Sequence, residues 1–184
     1  MPTLCAKTLA TFATLATAAA LLAQLSATQA AEAHVHGIAK LDIAVESTRL
    51  SANLDSPLDN LLGFEHAPRT DAERKQVDAA VAKLKDAAAM FRIDPAAQCT
   101  PAVVELASAA LKLGRPDADE AKPGHADIDA SFEFDCLDAT KAGYVDVGLF
   151  GFSHLQGLEV QVATPAGQFR HGLKRPVVRI RLKR

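Results

Sequence analysis

Ala33-His34-Val35-His36-Gly37-Ile38-Ala39-Lys40-Leu41-Asp42-Ile43-Ala44-Val45 is the stretch from which the fold of this chain is best read. Val35, Gly37, Ala39, Leu41, Ile43 and Val45 fall on one side of a two-residue repeat. His34, His36, Lys40, Asp42 and then Glu46 fall on the other, with Ile38 the exception. The pattern predicts a half-buried strand. On it, His34 and His36 project from one face about 7 Å apart. Two imidazoles so placed reach one metal ion at a Zn–N distance of about 2.0–2.1 Å, provided that another element supplies the remaining ligands. A His-x-His pair that merely faces water is the other reading, and spacing alone leaves both open.

Working outward, Glu46-Ser47-Thr48 reads as a turn, and Leu50, Ala52 and Leu54 alternate with polar neighbours, so the two strands are expected to form a hairpin. Pro57 ends the extended run, and Leu58 to Pro68 reads as a connector. Thr70-Asp71-Ala72-Glu73 is a capping box with acids in the first turn, where they suit the helix dipole. Val77, Val81, Leu84, Ala88 and Phe91 then recur at helical spacing and predict one long amphipathic helix over Asp71–Phe91. Pro101–Leu113 is rich in Val, Ala and Leu without a clean period, which leaves strand and helix open, and its bracketing by Cys99 and Gly114 makes a strand the expectation; Arg115–Gly124 is expected to be a loop.

His125–Cys136 alternates without exception. Ala126, Ile128, Ala130, Phe132, Phe134 and Cys136 face one way, and His125, Asp127, Asp129, Ser131, Glu133 and Asp135 the other. Tyr144–Gly148 reads as a strand and Leu149–Gly157 as a loop or short helix. Leu158–Ala163 and Gln168–Leu173 flank Thr164-Pro165-Ala166-Gly167 as a hairpin, and Val178, Ile180 and Leu182 mark a last strand. The expected class is α+β: an antiparallel sheet of roughly seven or eight strands, with a sandwich-like variant as an alternative, and one long helix packed on one face.

The first thirty residues are expected to be a secretory signal peptide rather than part of the fold. Lys7 is their only charge, Leu9–Leu25 is an apolar run rich in Ala, Leu and Thr, and Thr28-Gln29-Ala30 is a small-residue cleavage site. Cleavage after Ala30 would leave a single domain over residues 31–184 with no membrane span; cleavage after Ala33 is the alternative. Cys5 lies before the apolar run and so is not placed for lipidation. The mature charge of about −3 gives no reason to expect a nucleic-acid partner. Two cysteines remain, and in an exported chain Cys99 and Cys136 are expected to form a disulfide.

If the two histidine-bearing strands are neighbours, His34, His36, His125 and Asp127 converge on one ion with a nitrogen and oxygen donor set. That set suits Zn²⁺ and also accepts Cu²⁺ or Ni²⁺. The competing reading is a solvated face whose acids pair with Arg179, Arg181 and Lys40. His66, His154 and His171 lie in connectors or near turns, where a structural hydrogen-bonding role is the simpler expectation.

Several segments carry a resemblance: His34-Val35-His36-Gly37-Ile38-Ala39-Lys40-Leu41, Ser56-Pro57, Asn60-Leu61-Leu62-Gly63-Phe64-Glu65-His66-Ala67-Pro68-Arg69-Thr70, Gly124-His125-Ala126-Asp127, Phe132-Glu133-Phe134-Asp135-Cys136 and Thr164-Pro165-Ala166-Gly167-Gln168. Their order resembles the ZrgA-like family of bacterial periplasmic zinc-binding proteins over essentially the whole mature chain. The resemblance implies a periplasmic accessory or metallochaperone of zinc uptake, working beside an inner-membrane ABC transporter. It supports His34, His36 and His125 as ligands and adds Glu65 and His66 as lesser candidates. Many relatives carry a long histidine-rich loop where this chain has Arg115–Gly124, so the resemblance implies a single structured site here rather than high-capacity buffering.

Two other classes bear on the function: a metal-free interaction module, and a zinc hydrolase using Glu65 or Glu133 as base. The sequence has neither a helical His-Glu-x-x-His nor a nucleophile elbow, so no enzyme activity is expected.

Overall fold

The expected hairpin is present in the computed structural model, which describes residues 35–116 and 126–183. Strand β1 (Ile38–Val45) runs antiparallel to β2 (Arg49–Pro57), with Leu41 opposite Leu54 and Ile43 opposite Ala52. Every second residue of β1 from Ala39 to Val45 is buried, as the alternation requires. The segment expected to be a signal peptide, His34 and His125 lie outside the described residues.

Helix α1 (Leu58–Leu62) follows β2 directly. Helix α2 (Asp71–Lys85) starts where the capping box places it: the Thr70 side chain accepts from the Glu73 N–H, and the Glu73 carboxylate accepts from the Thr70 N–H at 3.0 Å. The single helix expected to reach Phe91 stops at Lys85. Asp86 leaves helical geometry, and its carboxylate accepts from the Ala89 N–H, starting the four-residue α3 (Ala87–Met90). An Asp side chain that bonds nearby backbone competes with the helix ladder in just this way. Val77 and Leu84 are buried as expected, while Ala88 is exposed. Phe91 is buried as the first residue of strand β3 (Phe91–Ile93).

Strand β4 is Cys99–Ala107, shorter than expected because the chain turns back through a Ser108–Leu113 bridge. A bulge falls between Pro101 and Val103, where proline has no N–H for the ladder. Strand β5 (Asp127–Cys136) buries Ile128, Ala130, Phe132, Phe134 and Cys136. Strands β6 (Tyr144–Val147), β7 (Gly157–Thr164), β8 (Gly167–Lys174) and β9 (Arg179–Arg181) complete nine strands among the described residues. Cys99 and Cys136 face each other in the β4–β5 register and are joined by a disulfide.

The strands form a six-stranded sheet, β4-β5-β2-β1-β7-β8, and a three-stranded sheet, β3-β6-β9. The protein is therefore mostly β, with two sheets rather than one. The expected all-antiparallel pairing fails at one junction, where β1 and β7 run parallel with Leu41 level with Val160. Parallel neighbours need a long crossover, and here nearly everything between β1 and β7 serves as that connection. Rings from the two sheets meet in the core: Phe91 of β3 lies edge-on to Phe132 and Phe134 of β5 at 4.8 and 6.2 Å between centroids.

A candidate metal-binding corner

Gly37 determines where His36 stands. Its φ of +83° is left-handed, so the alternation breaks there, β1 begins at Ile38, and His36 belongs to the turn before the strand. Asn60, wholly buried in α1, holds that turn. Its side-chain oxygen accepts from the Gly37 N–H at 2.6 Å, and its amide donates to the Ile38 carbonyl at 2.8 Å and to Ser56 Oγ at 3.1 Å. From the other side, the N–H groups of Gln156 and Gly157 donate to the Gly37 carbonyl at 2.7 and 2.9 Å. The backbone on which His36 sits is therefore fixed to both α1 and the start of β7.

The His36 imidazole lies between two carboxylates. Nε2 is 3.1 Å from Glu65 Oε1, and Nδ1 is 3.7 Å from Asp59 Oδ2. Asp59 comes from α1, one residue before Asn60, and Glu65 comes from the loop that leaves this helix. Gly63 makes that exit with a left-handed φ of +77°, its N–H donating to the Asp59 carbonyl at 2.8 Å. The far end of the loop is tied to α2: the Arg69 N–H donates to Glu73 at 2.6 Å, and the Gln76 side chain donates to the Leu62 carbonyl. The Arg69 and Thr70 N–H groups pull the Glu73 carboxyl below its ordinary range, with a smaller contribution from His66. The His36 side chain is 63% exposed, so an ion in solution has direct access to it.

These donors suit a borderline metal. Two ligands of a tetrahedral Zn²⁺ at about 2.0–2.1 Å stand about 3.3 Å apart, close to the separation of His36 Nε2 and Glu65 Oε1. Asp59 Oδ2, 3.7 Å from the opposite ring nitrogen, is beyond hydrogen-bond reach and adds negative charge beside the imidazole, which favours a cation there. Among the described residues, no three His, Cys, Asp or Glu side chains already converge as a cage.

The other residues expected from the sequence are distributed differently. His66 stacks on Phe64 at 4.8 Å between centroids, and its Nδ1 is 2.9 Å from the Ala67 carbonyl. Asp127 opens β5, is buried, and lies opposite Pro57, while its carbonyl accepts from Ser108 Oγ at 2.6 Å. Strand β2 separates β1 from β5, so the two strands expected to carry the histidines are not neighbours. Asp59 was not singled out by the sequence because an Asp in a connector carries no spacing signal; its role arises from α1 folding back against the turn. A cavity of about 370 Å³ lies at the Val45 end of β1, away from His36, between Phe169, Leu182 and Lys183, and none of the candidate donors lines it.

A family model described as ZrgA family zinc uptake protein matches residues 33–182. No curated protein matches the chain.

Proposed function

Because the chain belongs to the ZrgA family of zinc uptake proteins, we propose that it binds a zinc ion in the periplasm and hands it on toward an inner-membrane ABC-type transporter. Zinc is cargo in this reading. The observation that carries it is the pairing of His36 Nε2 with Glu65 Oε1 at 3.1 Å, with the negative charge of Asp59 beside the other ring nitrogen. An imidazole and a carboxylate at a ligand-to-ligand separation, open to solvent on a backbone fixed by Asn60, make a preorganised half-site. His34, two residues upstream of His36, is the nearest further donor in sequence; His125 with Asp127, and His66, are the remaining candidates for substitution.

We read the protein as a carrier and not an enzyme. An exposed site with few ligands lets an ion both enter and leave, which suits transfer better than a closed structural cage. The disulfide and the signal-like leader support an oxidising, extracytoplasmic location. No helix among the described residues is long and apolar enough to cross a membrane.

Elemental analysis of the mature protein, followed by competitive titration with Zn²⁺ and Cu²⁺, tests the proposal. One zinc per chain is expected, with affinity falling from about pH 7 to pH 5 because imidazole, with a reference pKa of about 6.5, must be neutral to bind. Absence of zinc binding at neutral pH would leave the metal-free interaction module as the surviving reading. Hydrolysis of ester or phosphate substrates by the zinc-loaded protein would contradict the carrier reading.

A further inference from the structure

We propose that His154 is a third zinc ligand, brought to His36 and Glu65 from the segment before β7; the inference rests on the zinc-binding reading above. Three observations converge on it. The first is position. His154 Nε2 lies only 3.0 Å from where a Cβ on Gly63 would stand, so the ring rests against the glycine that ends α1, two residues before Glu65. The His154 carbonyl lies 3.7 Å from where a Cβ on Gly37 would stand, beside the residue that follows His36.

The second observation is tethering. The Gln156 and Gly157 N–H groups both donate to the Gly37 carbonyl, so the chain two residues beyond His154 is fixed to the His36 turn. The third is availability. The His66 ring is engaged by the Ala67 carbonyl and stacked on Phe64, and the His171 ring lies 3.2 Å from the Arg181 carbonyl. The His154 ring, exposed at the protein surface, has no hydrogen-bond or ion-pair partner among the described residues. An unengaged imidazole held against the corner that carries an imidazole–carboxylate pair completes a two-nitrogen, one-oxygen donor set suited to zinc, with a fourth position for water or a receiving partner.

The three side chains do not yet converge among the described residues, so binding requires the His36, Glu65 and His154 side chains to turn toward one ion on a backbone that is already tied together. Gly63 has a second role here. It permits the left-handed exit from α1, and its missing side chain leaves room for the ring.

Zinc titration of the mature protein by calorimetry against a competing chelator is paired with long-range ¹H–¹⁵N spectra of the imidazole rings. One equivalent of zinc is expected to shift the ring nitrogens of His36 and His154 and to leave those of His171 in place. His154→Ala is expected to weaken binding at least about tenfold, since losing even an outer-shell partner typically costs about 10–100-fold, while His171→Ala binds as the parent does. Parent-like affinity of His154→Ala with unmoved His154 nitrogens, in a protein that binds zinc, would overturn this inference and leave the zinc-binding reading standing. A parent protein that binds no zinc would overturn both. The ring spectra are recorded on the unmodified protein, so they remain decisive if the variant fails to fold.

Discussion

Asn60→Ala is the substitution through which stability and site geometry are most directly joined. The side chain is wholly buried and makes three hydrogen bonds: it accepts from the Gly37 N–H and donates to the Ile38 carbonyl and Ser56 Oγ. Truncation strands the Gly37 N–H, which is buried, and removes a partner from two acceptors. At about 1–3 kcal/mol for each buried group left unsatisfied, and with Ile38 only partly buried, the expected loss is about 2–4 kcal/mol. For a domain of this size, with about 2–4 °C per kcal/mol, the melting temperature should fall by roughly 4–16 °C. Circular dichroism melts of the oxidised protein measure this. The same change frees the His36 turn from α1, so zinc affinity at a temperature where the variant is folded should drop about tenfold, the scale of a lost positioning partner. A melt within 1 °C of the parent would refute the assigned hydrogen bonds. A lowered melt with unchanged zinc affinity would refute the link between the clamp and the site.

Three further outcomes are expected. Thiol counting on the denatured, unreduced mature protein should find no free thiol, and replacing both cysteines with Ser should cost about 4 kcal/mol in the chain-entropy model, given the sequence separation of 37 residues; two free thiols would contradict the bond. Leu84→Ala, at a fully buried position of α2, should cost about 2–5 kcal/mol, and an unchanged melt would mean that the helix does not pack its stripe into the core. The carboxyls of Glu73, Asp94, Asp138 and Asp146 are all held below their ordinary values, chiefly by the Arg69 N–H, the Ala96 N–H, the Thr140 side chain and the Arg179 guanidinium respectively. Their contribution is present above the unfolded carboxyl values near pH 4 and is lost as pH falls through the lower folded ones, so denaturant midpoints should drop from pH 5 to pH 3; equal midpoints would count against these bonds.

The features legible in the sequence were those set by local repeats. The β1–β2 hairpin, the Thr70–Glu73 cap and the strict alternation of β5 all follow from side-chain period and capping chemistry, which depend on near neighbours. The parallel β1–β7 pairing and the insertion of β2 between β1 and β5 do not, because an alternating strand states which face is buried and not which strand lies beside it. The overlong helix has a similar origin: Ala87, Met90 and Phe91 continue the apolar content past Lys85, and only the Asp86 side chain bonding to the Ala89 N–H interrupts it. Gly37 carried a readable warning, since a glycine inside an alternating stretch often marks a break, and its left-handed backbone moves His36 off the strand face. Glu65 was visible as a motif residue, whereas Asp59 and His154 reach the corner only through tertiary folding.

The central claim, that His36 and Glu65 form the core of a zinc-binding corner, is tested most directly by one competitive zinc titration at pH 7 comparing the mature protein with His36→Ala/Glu65→Gln. Both side chains are exposed, so the variant should melt close to the parent. The parent is expected to bind one zinc and the double variant to lose tight binding, whereas an unchanged stoichiometry and affinity in a folded double variant would place the ion elsewhere on the chain.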